Sequence, residues 1–245
     1  MVHEQYLINY LRNKCNFYDP SLPPDKQIRA MINVTLPYHL SDEFYDKQDE
    51  YLTALLKTKK VVYASRMHFH DNIALHKGDI TLIKADAVVN AGNSALLGCF
   101  APLHYCIDNA IHSFAGLQVR RDLMNILGGQ EIKNGEVVLT RGYNLPAKYI
   151  FHTVGPIYQG IKKDEIDLAL CYINCLQKAD ELHLSNIVFC SLSTGVFGFP
   201  IEQACKIAIK TVRNYLKKHH TDLKVVFDVF SDSDYQVYER NLREN

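Results

Sequence analysis

Ile187-Val188-Phe189-Cys190-Ser191-Leu192-Ser193-Thr194-Gly195-Val196-Phe197-Gly198-Phe199-Pro200 is the stretch on which the fold turns. It opens with an apolar run short enough for a buried strand, passes into a glycine-punctuated loop, and ends on a proline suited to the first turn of a helix. A helical pattern from Pro200 to Lys218 follows. Gly195 and Gly198 allow backbone amides to turn toward an anion, and the positive end of that helix would face the same place, so the loop reads as a diphosphate cradle. No Gly-Lys-Ser/Thr follows, which leaves triphosphate cleavage without support. Phe199 either lies against a ribose or base or belongs to the core, and spacing does not separate the two.

The same rhythm recurs outward from this stretch, beginning at about residue 70. Ile73-Ala74-Leu75 and Ala87-Val88-Val89 precede a helix from about Tyr105. Val137-Val138-Leu139 and Tyr149-Ile150-Phe151 precede one from about Asp164 to Leu182, and Val225-Val226-Phe227 leads into one from about Ser233. Such alternation implies an α/β fold, a largely parallel or mixed central sheet flanked by helices on both faces. Ligands then bind beyond the carboxyl ends of the strands. The helix after Tyr105 carries Ile107, Ala110, Ile111, Phe114 and Leu117 on one face, a stripe that buries it against the sheet. Cys171 and Cys175 share a helix face with apolar neighbours and read as core.

Residues 1–68 differ in character. Ile8, Tyr10, Leu11 and Cys15 give a short helical face, broken by Pro20, Pro23 and Pro24. Asp25 is placed to cap a second helix through Met31, and Ser41 to begin a third. The expectation is a helical N-terminal extension over residues 1–68, packed on a main domain over 69–245.

Two further loops carry chemistry. Asn90-Ala91-Gly92-Asn93-Ser94 follows a strand, and asparagine amides can bond ribose hydroxyls as donor and acceptor, although the tract is also a common turn. Cys99-Phe100-Ala101-Pro102-Leu103-His104-Tyr105-Cys106 brings two thiols and an imidazole within eight positions, C-x4-H-x-C. That set suits zinc with one coordination position open; the alternative is two buried cysteines and a surface histidine. Asp108, in the first turn of the next helix, either partners the helix dipole or acts on a ribose hydroxyl or water.

Composition narrows the class. Of 245 residues, 47% are hydrophobic and 22% charged, and Lys plus Arg equals Asp plus Glu at 27 each. A balanced charge without a basic stripe argues against a nucleic-acid partner. No apolar run approaches the roughly 20 residues that span a bilayer, which argues against a membrane partner. Seven cysteines without a disulfide framework fit a reducing, cytoplasmic setting.

With these residues in view, the chain resembles the macrodomain family over about residues 70–245. Gly78-Asp79-Ile80-Thr81 resembles its adenosine-end motif, Asn90 to Asn93 its distal-ribose loop, and Ser193 to Pro200 its diphosphate loop. Leu96-Leu97-Gly98-Cys99 with His104 to His112 resembles the zinc-containing members, protein-ADP-ribose hydrolases with a helical N-terminal extension. The resemblance implies Cys99, His104 and Cys106 as ligands of a Zn2+ cofactor. It implies Asp79 and Ile80 at the adenine, and Asn93 and Asp108 as catalytic groups at the distal ribose. Ser193, Thr194, Gly195, Val196, Phe197, Gly198 and Phe199 would surround the diphosphate and its ribose, with Gly195, Val196 and Gly198 offering amides. The final strand, ending near Phe230, would add an adenine neighbour. The implied activity is hydrolysis of mono-ADP-ribose from acidic side chains of a modified protein substrate, releasing ADP-ribose. Its rivals are an ADP-ribose reader with a structural zinc and an O-acetyl-ADP-ribose deacetylase.

Overall fold

A computed structural model describes residues 2–244 of the chain. Three helices come first: α1 (Val2–Arg12), α2 (Pro24–Val34) and α3 (Asp42–Lys57). After the two-residue β1 (Val62–Tyr63) come β2 (Ile73–Lys77), β3 (Ile83–Lys84) and β4 (Ala87–Ala91). Next are α4 (Ile107–Ala115), α5 (Leu117–Leu127), β5 (Val137–Arg141), β6 (Tyr149–Thr153) and α6 (Lys162–Glu181). The chain closes with β7 (Asn186–Phe189), α7 (Ile201–His219), β8 (Lys224–Val229) and α8 (Asp232–Arg243).

Six strands form one sheet in the order β2-β8-β7-β4-β6-β5, and β1 pairs with β3 apart from it. The sheet is mixed: β5 alone runs antiparallel to its neighbour β6, and the other pairings are parallel. Helices flank it. Residues Ala87 to Asn90 of β4 and all of β7 are buried on both sides, as strands covered by helices on each face must be, whereas edge strand β5 is mostly half-buried. Cys171 and Cys175 are fully buried in α6. Among the described residues no helix is long and apolar enough to cross a membrane.

The first three helices enclose a small core of their own. Leu7, Leu11, Ile28, Met31, Ile32, Phe44 and Tyr45 meet there, and Leu117 of α5 completes it. Ser41 caps α3 by accepting from Phe44 N at 3.2 Å. Asp25 does not cap α2: Pro23 holds that position and Asp25 lies inside the first turn, where a carboxylate suits the helix dipole.

The helix expected beyond Tyr105 is two helices. Gly116 interrupts them at φ 99°, a backbone state that a side chain resists, and a Cβ there would press on the Gln48 and Gln118 amides. Leu117 therefore leaves the stripe of α4 for the N-terminal core. Within α4, Ile111 is buried in the main core while Ala110 and Phe114 line a cleft.

Candidate active site

Parallel pairing puts the carboxyl ends of β2, β4, β7 and β8 on one side of the sheet, and the loops leaving them surround a cleft of about 710 Å³. The loops are stitched to neighbouring strands as they leave. Gly78 N donates to Val229 O and Gly92 N to Thr153 O, each at 3.0 Å.

At one wall, Asp79 Oδ1 accepts from Thr81 N at 2.9 Å and Thr81 Oγ1 at 2.6 Å. This caps a single 3₁₀ turn and buries Ile80, which also lines the cleft. Phe230, 80% exposed, follows β8 on the cleft wall. Asp228 beside it hydrogen-bonds His76 Nδ1 at 2.7 Å; burial pushes its carboxyl up, against the opposing pull of His76. The sequence reading passed over Asp228, although an acid within an apolar strand is a visible signal.

The loop after β7 is folded by its own backbone. Ser193 sits at φ 62° and its carbonyl accepts from Phe199 N at 2.9 Å, while Gly195 O accepts from Gly198 N at 3.0 Å. The Gly198 amide is therefore paired within the loop. Phe199 is 2% exposed and packs against Tyr158 at 4.7 Å between ring centroids, so its side chain belongs to the core. Ser193, Thr194, Gly195, Val196 and Phe197 remain on the cleft wall. Gly155, not singled out in the sequence, explains the close fit: a Cβ there would collide with Ser193 Oγ.

The opposite wall is the segment from Asn90 to Asp108. Asn93 Nδ2 donates to Gly98 O at 3.0 Å, which leaves its Oδ1 buried with no partner. Cys99 Sγ, a His104 ring nitrogen and Cys106 Sγ lie within 4.8 Å of one another. The Cys106 thiol, by hydrogen bonding, pulls the Cys99 thiol well below its ordinary pKa, helped by Ala101, Asn109 and His104, and Cys106 is pushed up in return. Cys106 also caps α4, its sulfur accepting from Asn109 N at 3.3 Å.

Asp108 is 4% exposed, and its Oδ1 takes Asn90 Nδ2 at 2.8 Å with His112 Nε2 3.4 Å away. Burial favours its neutral form, but His112 and the Asn90 hydrogen bond outweigh it and hold the carboxyl below its ordinary range. Asn90 Nδ2 also lies 3.2 Å from His152 Nδ1, and His152 Nε2 lies 2.9 Å from Thr140 Oγ1. Arg29 of α2 reaches the cleft as well, the one arginine or lysine among the described lining residues, which also include Asp79, Asp108, Asp228 and Asp234. No local sequence pattern marks it, because it arrives from an element about 80 residues away.

The profile of the family described as "Macro domain" matches residues 89–208. A Staphylococcus aureus (strain MRSA252) protein named protein-ADP-ribose hydrolase is 43% identical over 96% of this chain and 92% of its own length. The structure of a Trypanosoma brucei macrodomain in complex with ADP-ribose superposes with a TM-score of 0.69, at 29% identity, over 93% of this chain and 97% of that one. An Oceanobacillus iheyensis macrodomain with ADP gives a TM-score of 0.64 at 38% identity, over 69% of this chain and 89% of that one.

Proposed function

The chain belongs to the Macro domain family, and from that premise we propose that it is a zinc-dependent hydrolase removing mono-ADP-ribose from acidic side chains of modified proteins. The observation that carries this reading is the segment from Asn90 to Asp108. It gathers an unpartnered amide oxygen, two thiols with an imidazole, and a buried carboxylate along one wall of a cleft of nucleotide size.

Two thiols and an imidazole in mutual reach, half-buried and beside a cleft, fit a tetrahedral metal that keeps one position open. Zinc bound by Cys99, His104 and Cys106 would supply a Lewis-acidic positive charge to that wall. The remaining work falls to the chain. Asn93 Oδ1 accepts from a hydroxyl of the distal ribose, which relieves its own buried, unpaired state. Gly195 and Val196 amides face the diphosphate, and Asp79 and Ile80 hold the adenine. Asp108, kept ionised with one oxygen tied to Asn90, orients the ribose and takes a proton from the attacking water. The ester departs as a carboxylate, a good leaving group, so positioning and charge suffice. In this reading residues 1–68 form an extension on a 69–245 catalytic domain.

The test is ADP-ribose release from a protein mono-ADP-ribosylated on acidic residues, before and after zinc is stripped. Release that disappears on stripping and returns with zinc supports the proposal. A zinc-loaded chain that binds free ADP-ribose without releasing any from the protein is a reader instead. Turnover confined to O-acetyl-ADP-ribose would mark a deacetylase.

A further inference from the structure

The segment holding the metal donors is bent into left-handed backbone at Leu96 (φ 55°), Gly98 (φ 89°), Phe100 (φ 46°) and Leu103 (φ 56°). Phe100 and Leu103 lie between the donors, and bulky residues keep such a conformation only where their surroundings impose it. The surroundings that do so come largely from α2.

Asn33, 2% exposed in the last turn of α2, accepts from Leu103 N at 3.0 Å, and its Nδ2 donates to Ser113 Oγ of α4 at 2.7 Å. The carbonyls of Ile32, Asn33 and Thr35 bind the buried guanidinium of Arg120, which stands 4.5 Å from the centre of the Phe100 ring. Arg29 Nη2 donates to Asn109 Oδ1 at 3.0 Å. That fixes the Asn109 amide so that its Nδ2 meets Ala101 O at 2.9 Å and Cys99 Sγ at 3.4 Å. Helix α2 thus meets the donor segment directly at Leu103, just before His104, and acts on it through Asn109 beside Cys99 and through Arg120 against Phe100.

We propose that α2 is the outer support of the metal-donor segment, with Asn33 and Arg29 as positioning residues that set its affinity for zinc. This rests on the metal reading given above. The three donors act together only in the shape these bonds impose, and neither positioning residue is itself a ligand. Asn33 does not line the cleft, so its contribution is separable from nucleotide binding.

The experiment measures zinc affinity by competition with a chromophoric chelator, and ADP-ribose affinity at saturating zinc by calorimetry, on the full chain. Loss of an outer partner typically weakens a metal site by roughly 10–100-fold. That loss is expected for Asn33→Leu, with ADP-ribose affinity unchanged, whereas Asn33→Asp, which keeps the acceptor for Leu103 N, recovers most of the zinc affinity. If Asn33→Leu does not fold, Arg29→Met carries the test, with zinc affinity lost and the melting temperature of the zinc-free chain retained. Variants that bind zinc as the wild type does overturn the proposal. So does a loss of zinc affinity matched by equal loss of ADP-ribose affinity and of zinc-free stability, the mark of general unfolding. A wild-type chain that takes up no zinc overturns the metal reading and this inference with it, which separates the two failures.

Discussion

Asn90 Nδ2 stands 2.8 Å from Asp108 Oδ1, tying the end of β4 to the first turn of α4. Both side chains are buried, so one carboxylate oxygen is committed to structure and the charge is kept by Asn90 and His112 together. Asp108→Asn keeps the volume and removes the charge. Turnover is expected to fall roughly 10²–10⁴-fold, the range for a lost general base. ADP-ribose affinity should hardly change. Parallel kinetics and calorimetry check this, and a variant with wild-type turnover would remove Asp108 from the mechanism.

His152 should make the fold acid-sensitive. Burial, then the nearby His112, pushes its pKa down to about 3 from 6.5, against the pull of Asp108. Asn90 Nδ2 points a donor at Nδ1, so a proton there would set two donors face to face. Between about pH 6.5 and pH 3 the unfolded chain takes a proton that the folded chain refuses, so stability is lost as pH falls. The loss from this group is about 2 kcal/mol at pH 5. Urea midpoints at pH 7 and pH 5 should differ less in His152→Gln, which cannot titrate.

Gly155 and Gly195 both belong to the cleft, with opposite tolerance. A Cβ on Gly155 would collide with Ser193 Oγ, whereas one on Gly195 meets nothing within 4 Å. Gly155→Ala is expected to displace the Ser193 loop and weaken ADP-ribose binding. Gly195→Ala should leave the loop and the melting temperature of the ligand-free chain unchanged, and thermal melts on the pair distinguish them.

Cys106→Ser separates the cap from the ligand. Serine is a favoured helix N-cap, so the bond now made by the Cys106 sulfur to Asn109 N should survive. The soft donor is lost. The zinc-free melting temperature should hold while chelator competition shows zinc bound far more weakly.

Gly116→Ala should destabilise the chain by roughly 1–3 kcal/mol, because alanine resists positive φ. The new methyl group would also displace the Gln48 and Gln118 amides, which bond each other at 2.6 Å. Thermal melts give the answer, and an unchanged melt would mean the two helices can shift apart freely.

The legibility of the sequence divides by distance along the chain. The sheet strands were visible because each is a short apolar run, and Cys99, His104 and Cys106 because they sit within eight positions. Arg29 and Asn33 were not, since their partners, Asn109 and Leu103, lie 80 and 70 residues away and leave no local pattern. The break between α4 and α5 had a signal, Gly116 within a helical rhythm, but Leu117 fits the stripe so well that the glycine was overridden. Gly198 and Phe199 were hard to place for a different reason. A loop rich in glycine suggests free amides, and only its folded form shows which of them it uses itself.

The pairing of β2 with β8 has a consequence in time. Ile73 has Val225 as its sheet partner, 152 residues later. At ~5–20 residues per second a ribosome takes on the order of ten seconds or more to make that span. Throughout it β2 is an edge without a neighbour, open to pairing with another nascent chain. The wall carrying Asp228 and Phe230 is thus the last part of the cleft to exist. A message cut short before the final strand would encode Cys99, His104 and Cys106 but not Asp228 and Phe230, and so leave the pocket without that wall.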